Sequence, residues 1–374
     1  MKIQMVDLVG QYHRMQEELT VAIQQVLANG TFINGPEVKA FADEFASYLD
    51  ISYVVPCGNG TDALQISLMA LGLNVGDEVI VPAFTYAAAV EVVALLGMTP
   101  VVVDVDPDTF NIDVRKIEQA ISPKTKAIIA VHLFGQCCDM EPLLEIATGH
   151  NLFVIEDNAQ STGATYVFSD GTVKQAGTMG HIGTTSFFPT KPLACYGDGG
   201  ALLTSDAFLA EQARMISQHG QQQKYYHKII GCNSRLDTLQ AAVLRVKLNY
   251  LDGFRESVQT IAERYDKGLF GVAGIDLPMK SSFSTHVYHQ YTIKIMNGKR
   301  DGLKSYLSSK GIPSMIYYPL PVHQQEAFRQ LVRIPEPLTV APELCNSVLS
   351  LPIHTELTQS EQEYIIQSIK EYEK

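Results

Sequence analysis

The chain has 374 residues, enough for two or three domains and a large core, so neither disulfides nor a structural metal is required to hold it together. Lys and Arg number 28 against 40 Asp and Glu; the formal net charge of −12 excludes a general nucleic-acid binder, which needs a basic footprint. Only 18% of residues are charged, which points to extensive buried surface, part of it between subunits.

The N-terminus reaches Asp7 before any long apolar run, and no uninterrupted stretch of about 18 apolar residues occurs. Neither a signal peptide nor a membrane span is expected, and the expected location is cytoplasmic. Cys57, Cys137, Cys138, Cys195, Cys232 and Cys345 show no C-x-x-C pair and no zinc spacing. They read as reduced, buried thiols, and no metal site is expected.

In chain order, Met15, Leu19, Ile23 and Val26 recur at helical spacing until Asn29-Gly30, and Val38, Phe41, Phe45 and Leu49 repeat the pattern. Tyr53–Pro56 then reads as a strand, Cys57–Thr61 as a turn and Ala63–Leu71 as a helix. Glu78–Val81 is a strand, Tyr86–Leu96 a helix and Val101–Val105 a strand. Ala127–Val131 and Phe153–Glu156 are apolar strands flanking a helix at Met140–Ala147. Thr185–Phe188 and Ala201–Thr204 continue the strand series, and Leu239–Leu251 reads as a long helix. Near-continuous Val/Ile runs alternating with helices predict an α/β fold with a mostly parallel central sheet covered on both faces. Residues 1–250 would form this large domain, including the N-terminal helical segment. Residues 251–374, with a strand at Tyr291–Ile295 and a helix at Leu303–Lys310, would form a smaller α+β domain.

In such sheets ligands sit outside the carboxyl ends of the strands, and the informative residues follow the apolar runs. Lys191 lies just past Ser186-Phe187-Phe188, between prolines. A lysine there is usually a solvated loop residue, but a desolvated amine is a nucleophile toward carbonyls. Asp157 ends Phe153–Glu156 and is followed by Gln160. A carboxylate at this point can cap a helix or can pair with a protonated ring nitrogen, as in pyridoxal phosphate enzymes. Gly58-Asn59-Gly60-Thr61-Asp62 joins a strand to a helix and offers backbone amides to a phosphate. It is neither G-x-G-x-x-G nor a Walker loop. Tyr86 can pack in the core or stack on an aromatic cofactor. Cys137-Cys138, beside His132, read as packing thiols, since nothing there marks a low pKa.

With His132–Gln136, Glu156–Gln160, Ser186–Lys191, Gly197–Ala201 and Asn233–Asp237, these segments resemble, in this order and over nearly the whole chain, the DegT/DnrJ/EryC1/StrS sugar aminotransferases. Those are pyridoxal 5′-phosphate enzymes of fold type I. The resemblance implies that Lys191 is the catalytic Schiff-base lysine, which also moves a proton between substrate and cofactor. It implies Asp157 at the pyridine nitrogen, Gln160 at the phenolic oxygen and Tyr86 over the ring. Gly60, Thr61, Asp62 and Ser186 would bind the phosphate, and Asn233 would reach it from the partner subunit of a homodimer with shared active sites.

Within the family the chain most resembles enzymes that aminate C3 of UDP-2-acetamido-3-oxo-glucuronic acid for bacterial surface polysaccharide, including O-antigen. L-glutamate would be the donor and 2-oxoglutarate its product. Arg235 would then pair with the uronate carboxylate, or form a surface or dimer salt bridge. Gly30, Phe32, Thr190, Tyr317 and Tyr318 would line the pocket of the nucleotide-linked keto sugar. Related enzymes often carry His-Tyr-Pro where this chain has Tyr317-Tyr318-Pro319, and Tyr where it has Phe32. Sugar dehydratases of the same family carry His at the lysine position, so Lys191 argues against that chemistry. A dTDP-linked 3-keto or 4-keto deoxysugar substrate, and a non-catalytic sugar-nucleotide sensor on the same fold, are the alternatives.

Overall fold

The computed structural model describes residues 3–373. Its main sheet has seven strands in the order Tyr53–Cys57, Gly200–Thr204, Ile182–Ser186, Phe153–Asp157, Thr125–Val131, Glu78–Pro82 and Thr99–Val103. Gly200–Thr204 runs antiparallel to both neighbours, and every other pairing is parallel. The expected mostly parallel sheet is therefore present.

Side-chain alternation explains why these strands read as unbroken apolar runs. Val79, Val81, Val102, Ala127, Ile129 and Val131 enter a core on one face of the sheet. Their neighbours Ile80, Val101, Val103, Ile128 and Ala130 enter a separate core on the other face. With both faces covered there is no water-facing register to hold polar residues. Each fully buried Ile or Val contributes about 1.5–3 kcal/mol of transfer free energy.

The two N-terminal helical patterns hold, with physical stops. Gln16–Asn29 ends at Gly30, whose φ of 68° is the left-handed conformation that glycine adopts without strain. Pro36 starts Pro36–Leu49 at a position where its missing N–H costs nothing. The expected strand Thr185–Phe188 is displaced to Ile182–Ser186. A Cβ on Gly183 would collide with the Gly177 carbonyl oxygen, so this glycine marks a close crossing inside the strand.

The expected helix Leu239–Leu251 is two helices, Thr238–Leu248 and Leu251–Leu269. The second is strongly amphipathic, with its core residues Phe254, Ile261, Ala262, Tyr265 and Leu269 on one stripe among charges. Beyond it a three-stranded antiparallel sheet, Ile275–Asp276, Tyr291–Ile295 and Val348–Leu351, packs with helices Arg300–Ser309 and Gln359–Tyr372. The chain crosses the division expected near residue 250 in both directions. Ile3 belongs to this C-terminal core, whereas Val322, Ala341 and Leu344 belong to the core of the main sheet. Among the described residues no helix is long and apolar enough to cross a membrane.

Candidate active site

The carboxyl ends of the parallel strands open into a cavity of about 670 Å³. It gathers Gly60, Thr61, Asp62, Tyr86, Asp157, Gln160, Ser186, Thr190, Lys191, Tyr317 and Tyr318, all singled out from sequence.

One wall is an anion cradle. The strand Tyr53–Cys57 turns through Gly58-Asn59 into the helix Gly60–Ala70, whose N-terminal amides face the cavity. Two close approaches shape it. A Cβ on Gly60 would lie 2.7 Å from the Cβ of Ser186, and one on Gly200 would lie 2.4 Å from the Asn59 carbonyl group. Asp62 is more committed than its sequence position indicated. Its backbone N–H donates to Asn59 Oδ1 (2.8 Å), and its Oδ2 accepts from Ser234 Oγ (2.6 Å). Ser234 Oγ in turn accepts from the N–H of Gly58 (2.8 Å). The Asp62 side chain thus ties a distant loop to the turn, which leaves the amides of Gly60 and Thr61 and the Ser186 hydroxyl as the free donors.

Opposite the cradle stand a cation and an anion. Burial lowers the Lys191 amine from its ordinary 10.5 to about 8, against the opposing pull of the Asp157 charge. Burial also raises the Asp157 carboxyl above its ordinary value, opposed by the Ala159 N–H and the Lys191 charge. Asp157 Oδ1 accepts from Ala159 N–H (3.1 Å), and no hydrogen bond to Oδ2 occurs among the described residues. A buried carboxylate with a spare oxygen facing a cavity is suited to a cationic N–H.

Neighbouring groups hold this pair rigidly. Gln160 Oε1 accepts from Phe134 N–H (2.7 Å), and its Nε2 donates to Tyr318 Oη (3.2 Å), which leaves one N–H for a ligand. Tyr86 is 61% exposed, so it is no core aromatic, and its ring lies 6.3 Å from that of Tyr318. Behind Asp157, fully buried Glu156 accepts from His132 Nε2 (2.8 Å) and from the amides of Gly177, Met179 and Gly180. The Cys138 N–H donates to His132 Nδ1 (3.0 Å), which places the ring hydrogen on Nε2. The Cys137–Cys138 pair therefore contributes a backbone donor. Its thiols are buried, and burial pushes Cys137 up to about 12. Replacing Glu156 by Ala orphans all these donors. The expected loss is about 3–5 kcal/mol, read by urea unfolding, with a smaller loss for Glu156→Gln.

Gly30, Phe32 and Arg235, expected at the sugar pocket, and Asn233, expected to reach the phosphate from the partner subunit, do not line this cavity within one chain. Gly30 caps its helix with nothing within 4 Å of a Cβ, and Phe32 is 47% exposed. Phe32 and Thr238 are joined by a backbone hydrogen bond, and Asn233 bridges Gln218. Arg235 lines a separate groove of about 540 Å³ with Asn34, His219 and Lys224. The loop 233–237 is pinned there by Ser234 to Asp62 and by Ile33 to Asp237. Asn59 and Asp198, which lie in segments singled out from sequence without roles of their own, also line the cavity, and so does His289, which sequence reasoning missed. His289 precedes the strand Tyr291–Ile295, so a search after strand ends passes over it; a histidine adjoining a strand was the available signal.

The donor set fits pyridoxal phosphate: free amides and a hydroxyl for a phosphate, a spare carboxylate oxygen for a pyridinium nitrogen, an exposed tyrosine ring for its face and a desolvated amine for its aldehyde. Comparison with known proteins agrees. Residues 13–370 match the DegT/DnrJ/EryC1/StrS aminotransferase family. The chain is 44% identical over 353 residues, covering 94% of it and 95% of the relative, to the UDP-2-acetamido-2-deoxy-3-oxo-D-glucuronate aminotransferase of Pseudomonas aeruginosa. It is 43% identical over 374 residues, covering 100% of it and 99% of the relative, to a pleiotropic regulatory protein of Geobacillus stearothermophilus. The solved structure of S. venezuelae DesV in complex with a ketimine intermediate superposes with a TM-score of 0.95 at 39% identity, covering 100% of this chain and 99% of that one. The chain therefore belongs to the DegT/DnrJ/EryC1/StrS aminotransferase family and is a pyridoxal phosphate-dependent aminotransferase.

Proposed function

We propose that the chain transfers the amino group of L-glutamate to the C3 keto group of a UDP-linked 2-acetamido-3-oxo-glucuronic acid, in the cytoplasm, for a bacterial surface polysaccharide such as O-antigen. The reading is carried by the 44% identity to a relative of that named activity over 94% of the chain. Bound at the cradle, the cofactor supplies an electron sink. The protein's residues supply the rest. The amides of Gly60 and Thr61 and the hydroxyl of Ser186 hold the phosphate. Asp157 keeps a proton on the ring nitrogen, Gln160 orients the ring through its remaining N–H, and Tyr86 excludes water from one face. The Lys191 amine, its proton affinity lowered by burial, takes a proton from the substrate carbon and returns it to the cofactor.

The sites are shared across a homodimer in this reading. Asn233 and Arg235 of the partner subunit complete the cavity that one copy leaves without them, alongside Gly30 and Phe32. Thr190, Tyr317 and Tyr318 line the sugar side. Arg235 then reads the uronate carboxylate with a two-pronged guanidinium contact. Arg235→Ala is expected to lose about 1.5–3 kcal/mol, roughly 10- to 100-fold in kcat/KM, with the uronate and far less with the neutral hexose analogue. Equal losses on both substrates contradict the assignment.

The regulatory name of the 43% identical relative favours a second reading, a sugar-nucleotide sensor. Glutamate-dependent turnover against a panel of UDP- and dTDP-linked keto sugars separates the two, and the carbon aminated, read by NMR, separates the 3-keto from the 4-keto substrates.

A further inference from the structure

Two cavities meet at Lys191. Besides the cofactor cavity there is a chamber of about 80 Å³, and Thr190, Lys191 and His289 line both. Its other walls come from residues 6–11, the helix Leu251–Leu269 and the segment Ile353–Thr355. A water needs roughly 10–15 Å³ of such space and a few polar partners, so the chamber has room for several waters. Partners are present. His354 is only 9% exposed, and neither of its ring nitrogens has a hydrogen-bond partner among the described residues. Asp7 and Gln11, both half-buried, line the chamber toward the surface.

His289 stands where the two spaces join, and the backbone fixes it there. The Val287 N–H donates to the Gly135 carbonyl (2.8 Å), and the Gln290 N–H donates to that of Phe134 (3.3 Å). A Cβ on Gly135 would lie 2.6 Å from the amide nitrogen of Tyr288, so only glycine permits this approach. No hydrogen bond to the His289 ring occurs among the described residues. Burial, together with the Lys191 charge, holds that imidazole well below its ordinary pKa and so neutral. Burial lowers His354 as well, opposed by the Asp7 charge, the nearby Gln4 backbone and the Glu361 and Glu356 charges.

The other charged groups around the chamber are committed elsewhere. Arg255 pairs with Asp252 (3.1 Å) and donates to the Gly163 carbonyl (3.2 Å). Glu356 is tied to Arg14 (2.8 Å). Asp157 faces Lys191 from the cofactor side.

We propose that the chamber is a water-filled proton passage in which His289 exchanges protons with the nitrogen of Lys191 and in which His354 and Asp7 connect it to solvent. In the outward step an N–H bond breaks at Lys191 Nζ and one forms at the unpartnered nitrogen of His289, and the positive charge moves with the proton. His289 then gives a proton to chamber water and returns to neutral; the inward step is the reverse. His289 and His354 are thus positioning residues for a proton whose chemistry is done at Lys191. The proposal rests on Lys191 holding the cofactor.

The test is a pH jump on the cofactor-loaded protein, followed by the visible absorbance that reports the proton on the Lys191 nitrogen. His289→Phe and His354→Leu are each expected to slow the relaxation about tenfold or more, with the absorbance reached at each final pH retained. Free imidazole is expected to restore the rate of His289→Gly, which a purely structural role would not allow. Wild-type relaxation in either substituted protein, or slowing of His289→Gly that imidazole does not relieve, overturns the passage. Borohydride fixation of cofactor on Lys191 in the same samples tells failure of the passage from failure of the lysine assignment.

Discussion

Lys191→Ala is expected to abolish amino transfer, with kcat lowered by at least about 10³–10⁴-fold, while the protein stays folded and retains its cofactor without a covalent link. The size follows from the position. Lys191 carries the one amine lining the cofactor cavity among the described residues, and burial has already lowered it to about 8, so that an uncharged fraction is available near neutral pH. No other group on that wall can both bond a carbonyl carbon and move a proton. Arg is expected to be as poor as Ala, because a guanidinium keeps its proton under all working conditions. Single-turnover amino transfer, with cofactor content measured on the same sample, checks this. Turnover within about tenfold of wild type contradicts it.

Asp157→Asn is the second large effect. The amide keeps the side chain's shape and can still accept the Ala159 N–H (3.1 Å), but it cannot hold a proton on a facing ring nitrogen. Loss of a buried charge-assisted hydrogen bond is worth about 3 kcal/mol, or roughly two orders of magnitude in kcat. Phosphate affinity at the distant cradle is expected to change little. The sign with pH is also set. Burial raises the Asp157 carboxyl, so on acidification it takes up its proton earlier than an exposed aspartate does, and activity falls on the acid side as the carboxylate is lost. A pH profile of kcat in which Asp157→Asn removes this acid limb is the expected result. An unchanged limb assigns it to another group.

Much of this site was legible in the sequence because its parts sit where apolar strands end. Val/Ile runs buried on both faces are conspicuous, and in a parallel sheet their carboxyl ends converge. Gly60, Asp157, Ser186 and Lys191 could therefore be placed together before any coordinates. What was not legible depends on contacts between remote segments. Nothing local to Asp62 announces Ser234 as its partner, and the resemblance implied phosphate binding for it instead. His289 escaped because it precedes its strand, and it enters the site only through the close passage of Gly135 beside Tyr288. Leu251–Leu269 is a different case: Phe254, Ile261, Tyr265 and Leu269 recur at helical spacing among charged residues, so its period was present in the sequence although the reading stopped at Leu251.

The resemblance implied ligand contacts for Asn233 and Arg235, yet neither lines the cavity of its own chain: Ser234 ties their loop to Asp62, and Arg235 lines a separate groove. The −12 net charge fits the same picture. An anionic cofactor cannot be held by the overall field, so in the proposed reading its binding falls to the amides after Gly58, the Ser186 hydroxyl and the Lys191 amine.

The most direct measurement is reduction of the purified, cofactor-loaded protein with borohydride, followed by peptide mapping of the fixed cofactor. The expected result is a single labelled peptide bearing the modification on Lys191. Label on any other lysine, or none after loading with pyridoxal phosphate, contradicts the assignment on which the site is built.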